Sequence, residues 1–150
     1  MPEAVFLDLS ASSAEDAIRT VGNRLLELGY VREGFVEATL SREASMPTGL
    51  ALAGAINAAI PHVDVEYVAR PALGLATLTR EVQFQNMGAP EEAVPVRLVI
   101  MMALDEPKSQ VAMLQQVAAV LQSPELVDQL MAAGSVTDVL SIIRRVGERG

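Results

Sequence analysis

The stretch VPVRLVIMMAL, residues 94–104, is the strongest indication of the fold in this sequence. It is apolar almost throughout, and valine and isoleucine are frequent near its start, as is typical of strands. A strand without alternating polar residues is covered on both faces, because either face would otherwise expose apolar surface to water. We therefore predict a central strand here, with helices packed on both sides of its sheet.

The sequence predicts helices both before and after this strand, and these helices can pack on the two faces of the sheet. Toward the N-terminus, Ser12 is the predicted N-cap of a helix that ends at Gly29, with Glu15 three residues after the cap. A second helix is predicted from Gly34 to Ser45, before Pro47. Three more helices are predicted after the strand, at residues 108–122, 124–134 and 135–146.

The remaining segments predict further strands. A short apolar run at residues 4–9 precedes the first helix, and apolar runs broken by small residues and prolines lie at 49–53, 56–61 and 73–80. We therefore predict an α/β (α+β) fold, a mixed β-sheet flanked by helices on both faces.

Composition limits the class of protein. The chain has 150 residues, 51% of them hydrophobic, so we expect one domain over residues 1–150. There is no cysteine, which excludes disulfides and thiolate chemistry, and no apolar run reaches membrane-spanning length. We expect a cytoplasmic protein with no direct membrane insertion. Its net charge of −8 argues against nucleic acid as a partner and favours one with a basic face.

The sequence offers few groups that could perform chemistry. The glycines form no phosphate-binding loop, and no G-x-S-x-G motif is present, so neither cofactor binding nor a serine hydrolase is supported. His62, Asp64 and Glu66 alternate in HVDVE, but three such ligands make a weak transition-metal site, and solvated loop charges are the better interpretation. We predict no cofactor and no metal.

The only histidine, His62, follows Pro61 at the end of the apolar run AAIP. A neutral imidazole can accept a phosphoryl group and pass it on without a second catalytic group. The alternative is that His62 is a polar residue that ends a strand and has no chemical role. From the residues alone, this structural alternative is favoured.

Four blocks of the sequence, PTGL, AAIPH, VQF and the central strand, resemble the enzyme IIA domain of the sugar phosphotransferase system (PTS). The resemblance is to the fructose, mannitol and nitrogen-regulatory superfamily, type 2, and most of all to its galactitol-type branch. It covers nearly the whole chain, including the final helices. In that family the histidine of "aiPH" accepts the phosphoryl group, which implies that His62 is the phosphoryl acceptor here.

The resemblance also implies supporting residues. Gln110 stands where many members have a second histidine, and Thr48 in the PTGL turn is a candidate hydroxyl donor to phosphate oxygens. Arg42 is a further candidate, but the segment between Arg42 and IPH is longer than in mannitol-type members. This leaves open whether Arg42 reaches the phosphate.

The implied function is that of a phosphocarrier, a PTS phosphotransferase component. It would accept a phosphoryl group from the phosphocarrier protein HPr and deliver it to a cysteine of an enzyme IIB. That IIB lies on a separate chain, since this one has no cysteine. The sugar or sugar alcohol, galactitol-like by resemblance, would be transported by a membrane enzyme IIC complex. The alternative is a regulatory, nitrogen-type IIA whose phosphorylation state controls partner proteins.

Overall fold

The computed structural model describes the backbone of residues 2–149 and the side chains of residues 2–106 and 111–144. Its strands are β1 (Ala4–Leu9), β2 (Gly49–Leu50), β3 (Ala58–Ala59), β4 (Ala72–Gln85) and β5 (Ala93–Ala103). Its helices are α1 (Ala14–Glu27), α2 (Phe35–Ser45), α3 (Pro107–Leu121), α4 (Pro124–Ala132) and α5 (Val136–Arg149). Within these described ranges, no helix is both long and apolar enough to span a membrane.

The sheet is mixed, and β5 is its central strand. The strand order is β1-β4-β5-β3-β2. β4 runs antiparallel to β5, whereas β3 runs parallel to it. The predictions of a central strand at 94–104 and of a mixed α/β fold are therefore confirmed.

Both faces of β5 are buried, each against a different set of helices. Val99 and Met101 belong to the apolar core that includes Val21 and Leu25 of α1. Ile100 and Met102 belong to a second core, formed with α3, α4 and α5. Because successive side chains of a strand point to opposite faces, a nearly continuous apolar strand contributes to two cores at once.

The boundaries of four predicted segments were wrong. The N-cap of α1 is Ser13, not Ser12, because the Ser13 hydroxyl accepts the backbone N–H of Asp16. The runs at 49–53 and 56–61 contribute only two strand residues each. The run at 73–80 belongs to a 14-residue strand that continues to Gln85, since the antiparallel pairing with β5 resumes at Val82 after an irregularity.

Candidate functional site

The sheet topology determines where His62 lies. β3 and β5 are parallel neighbours, so their C-terminal ends meet at the same edge of the sheet. The Pro61 carbonyl accepts the backbone N–H of Met102 at 3.1 Å, and His62 pairs with Met102 in an isolated parallel bridge. The single histidine is therefore fixed beside the end of the central strand.

The His62 side chain is half-buried and lines an open depression of about 450 Å³. The chain segment after β3, the end of β5 and helices α2 and α3 all contribute to its lining, which comprises Arg42, His62, Val63, Asp64, Val65, Met102, Leu104 and Leu114. Val65 and Leu114 are apolar yet 39% and 42% exposed. The imidazole therefore stands in a shallow site with partly apolar walls, open to a second molecule.

One ring nitrogen of His62 is already engaged. Nδ1 lies 2.8 Å from the carbonyl oxygen of Ile60. Because a carbonyl oxygen only accepts hydrogen bonds, Nδ1 must carry the proton. In the neutral ring this leaves the lone pair on Nε2, which is the nitrogen available as a nucleophile.

Arg42 reaches the same depression, so the longer segment before IPH does not remove it from the site. The residue lies in α2, and its Nη1 donates to Oδ1 of Asp64 at 3.2 Å. Its Nε is buried and forms no hydrogen bond to the described residues. A guanidinium and the imidazole thus share one site.

Thr48 is buried against Glu43 and lies outside the lining of the depression. It is only 2% exposed. Its hydroxyl donates to Oε1 of Glu43 and its backbone N–H donates to Oε2, both at 2.7 Å. In this structure Thr48 orients Glu43, and its contact with phosphate stays a prediction.

Glu43, next to Arg42 in α2, does not itself line the depression, and no role was predicted for it from the sequence. Burial raises the pKa of its carboxyl group, while the two donors of Thr48 and the charge of His62 act in the opposite direction. In the sequence, Glu43 stands out only as the neighbour of Arg42. Nothing in that pair indicates that Thr48 folds back onto the Glu43 carboxylate.

Gln110 lies in α3, but its side chain is outside the described part of the chain. Its supporting role therefore stays a prediction. Among the described residues, no group of three or more His, Cys, Asp or Glu side chains is arranged to hold a metal ion.

Comparison with known proteins finds sequence similarity along most of the chain. Residues 1–146 match the family model described as phosphoenolpyruvate-dependent sugar phosphotransferase system, EIIA 2. The galactitol-specific EIIA component of Escherichia coli (strain K12) is 32% identical over 124 residues, which are 82% of this chain and 81% of that protein.

Solved structures share the fold. The complex of mannitol enzyme IIA and phosphorylated mannitol enzyme IIB from E. coli, determined by NMR, matches with a TM-score of 0.76 at 27% identity, over 95% of this chain and 94% of that chain. The nitrogen regulatory protein IIA-Ntr from Neisseria meningitidis has the same fold, with a TM-score of 0.70 at 21% identity, over 93% of this chain and 92% of that chain.

Proposed function

The chain belongs to the EIIA 2 family of the phosphoenolpyruvate-dependent sugar phosphotransferase system, and from this premise we propose that it carries a phosphoryl group on Nε2 of His62. Members of this family are phosphotransferase components, and EIIA domains partner with an EIIB, as in the mannitol complex. We further propose that residues 1–150 act as one such domain, in the cytoplasm.

One observation carries the proposal: Nδ1 of His62 is engaged by the Ile60 carbonyl, and the ring lines an open depression. This arrangement supports Nε2 as the nucleophile. In the transfer, its lone pair forms a bond to phosphorus while the bond between phosphorus and the donor's histidine nitrogen breaks, and the donor nitrogen keeps that electron pair. Passing the group on breaks the Nε2–P bond and forms a bond to the cysteine thiolate of the acceptor.

The proposed donor is HPr and the proposed acceptor is an enzyme IIB on a separate chain, which works with a membrane enzyme IIC. The acidic chain, with a net charge of −8, suits a donor with a basic face. The exposed Val65 and Leu114 at the depression supply apolar surface for such a contact.

The proposed cargo is a sugar alcohol of the galactitol type. It is supported by the 32% identity with the galactitol-specific component over most of both chains. The regulatory, nitrogen-type alternative is weaker, because that protein shares the fold at only 21% identity.

Arg42, Thr48 and Gln110 are proposed as supporting residues of the transfer. Arg42 is the best placed of the three, since its guanidinium lines the depression and can neutralise phosphoryl oxygens. If Gln110 or Thr48 contacts the transferring group, replacing either by alanine slows transfer by roughly ten- to a hundredfold, on the scale of one lost charge-assisted hydrogen bond.

The proposal is tested by phosphorylation with labelled phosphoenolpyruvate, enzyme I and HPr. We expect one acid-labile phosphate per chain in the wild type and none in His62→Gln, because an amide nitrogen is not a nucleophile. The variant should fold, since substitutions outside the core usually change stability by no more than about 0.5 kcal/mol. Label that persists in a folded His62→Gln protein would contradict the proposal.

The cargo is tested separately by onward transfer. Phosphorylated protein is mixed with purified galactitol-type or mannitol-type enzyme IIB, and the loss of label from His62 is followed. We expect faster transfer to the galactitol-type IIB, and equal or slower transfer would argue against the galactitol assignment while leaving the carrier role intact.

A further inference from the structure

The ion pair between Arg42 and Asp64 has a consequence for the phosphorylated protein. The two side chains are joined by one bond of 3.2 Å, and both line the depression that contains His62. Arg42 is 32% exposed and Asp64 is 69% exposed. A phosphoryl group on His62 would therefore enter a site where the nearby guanidinium already has an anionic partner.

The bond to Asp64 holds Arg42 only weakly. Solvent-exposed ion pairs contribute little to stability, because water screens the attraction and both side chains lose conformational freedom. Here only one nitrogen of the guanidinium is engaged, while Nε is buried without a hydrogen-bond partner. An unsatisfied buried donor is costly, so this side-chain position is not the most favourable one available to Arg42 once a better acceptor arrives.

A phosphoryl group is a better acceptor than Asp64. It carries more negative charge than a carboxylate and presents three oxygens, and arginine binds such groups through two parallel hydrogen bonds. Arg42 has a single guanidinium, so it cannot bind both the Asp64 carboxylate and a phosphoryl group at full strength.

We propose, on the basis of the function proposed above, that Asp64 competes with the phosphoryl group for Arg42, and that the Arg42–Asp64 ion pair opens when His62 is phosphorylated. Asp64 then disfavours the phosphorylated form and makes the group easier to pass on. When the ion pair opens, the Asp64 carboxylate loses its cationic partner. The donor binds the unphosphorylated protein and meets the closed ion pair, whereas the acceptor binds the phosphorylated protein and meets a free carboxylate. Asp64 is thus a positioning residue that acts through Arg42.

The test is the equilibrium of phosphoryl exchange with HPr in the variant Asp64→Asn. The ratio of phosphorylated to free protein is measured against a known ratio of phosphorylated to free HPr. We expect the variant to favour the phosphorylated protein by about two- to fivefold over the wild type, the range that corresponds to an exposed ion pair.

Glu66→Gln is the matched control. Glu66 is exposed and lies two residues after Asp64, so the substitution removes the same charge from the same segment. Among the described side chains, Glu66 forms no ion pair and does not line the depression. We expect a clearly smaller shift for this variant. An equilibrium in Asp64→Asn that equals that of Glu66→Gln, or that disfavours phosphorylation, would overturn the proposal.

A second measurement asks whether Asp64 acts through Arg42. In an Arg42→Gln background, Asp64→Asn should shift the equilibrium no more than Glu66→Gln does, because no guanidinium remains to be contested. A shift of undiminished size would show direct repulsion from the phosphoryl group and would overturn the competition. Failure of the carrier function itself is distinguishable, since the wild type would then take up no acid-labile phosphate on His62.

Discussion

At the scale of single residues, the carboxylate of Glu43 shows how the site combines burial with charge. Its two oxygens accept the hydroxyl and the backbone N–H of Thr48, and burial raises its pKa. The carbonyl of Thr48 accepts the backbone N–H of Ile60, whose own carbonyl engages His62. A continuous set of hydrogen bonds therefore links Glu43 to the segment that holds the imidazole.

The first prediction concerns the Thr48 hydroxyl. Thr48→Val preserves the shape of the side chain but leaves a half-buried carboxylate with one donor fewer, so we expect a loss of about 1–3 kcal/mol in the free energy of unfolding at neutral pH. Urea denaturation measures it, with Thr48→Ser, which keeps the hydroxyl, as the control. Equal losses in the two variants would show that the methyl group matters and the hydroxyl does not.

The second prediction concerns the pH dependence that Glu43 confers. Because its pKa is higher in the folded than in the unfolded chain, its contribution to stability is fully present below the unfolded pKa of about 4.3 and is lost as the pH rises through the folded-state pKa. Glu43→Gln removes this loss. We expect the variant to gain stability relative to the wild type as the pH rises from about 4 to neutrality.

Urea unfolding of both proteins across this pH range provides the measurement. Glu3→Gln tests the same effect elsewhere in the sheet. Burial also raises the pKa of Glu3, which precedes the edge strand β1 and is separated from β3 by β4 and β5. A difference between wild type and Glu43→Gln that stays constant with pH would contradict the raised pKa.

At the scale of elements, the start of α1 shows how a local hydrogen bond determines a helix boundary. Ser13 accepts the N–H of Asp16, and the Asp16 carboxylate in turn accepts the backbone N–H of Ser12. The second bond goes to the residue before the cap and not to the cap itself, so the pair is not a complete capping box. The cap is shifted by one residue from the predicted one. Ser12 has Glu15 three residues later, and Ser13 has Asp16 three residues later. Both serines therefore fit the pattern of an N-cap, and the sequence does not distinguish them.

The third prediction compares these two serines. Ser13→Ala removes the cap and should cost about 1 kcal/mol in the free energy of unfolding. Ser12→Ala should cost far less, because its backbone N–H still reaches Asp16 and its exposed hydroxyl makes only a 3.3 Å contact. Thermal or urea unfolding of the two variants decides the register, and a larger loss in Ser12→Ala would contradict the observed cap.

At the scale of the whole molecule, glycine allows α1 to pack closely on the sheet. A Cβ atom added to Gly74 in β4 would lie 2.5 Å from Cγ1 of Val21. In α1, a Cβ atom at Gly22 would lie 2.9 Å from Cγ2 of Val36 in α2. Both distances are shorter than carbon atoms tolerate, so the packing of α1 against β4 and α2 depends on these two glycines.

The fourth prediction tests this close packing. Gly74→Ala should destabilise the fold by about 1–3 kcal/mol, because the added methyl group forces the helix and the sheet apart. Gly134→Ala is the control, since its Cβ atom would meet no other atom within 4 Å. Similar unfolding free energies for the two variants would contradict the proposed dependence on Gly74.

Much of the fold could be predicted because periodicity reflects burial directly. The long apolar run of β5 and the helical spacing of apolar residues in α1 and α2 are local patterns. Each pattern indicates which faces of its element are buried. The two-residue strands β2 and β3 could not be predicted in length, because Ala-rich segments have little intrinsic preference and their pairing depends on neighbours distant in sequence.

The class of fold and the family could be read from the sequence, because they follow from local pattern and motif order. The proposed phosphoryl acceptor could be named from the sequence because the chain has only one histidine and no cysteine. Three features could be found only in the folded chain: which nitrogen of His62 is free, that Arg42 reaches the same depression, and that Thr48 orients Glu43. The depression depends on contacts between residues as far apart in the chain as Arg42 and Leu114. Packing and hydrogen bonding across the sheet create such contacts, and no local pattern encodes them.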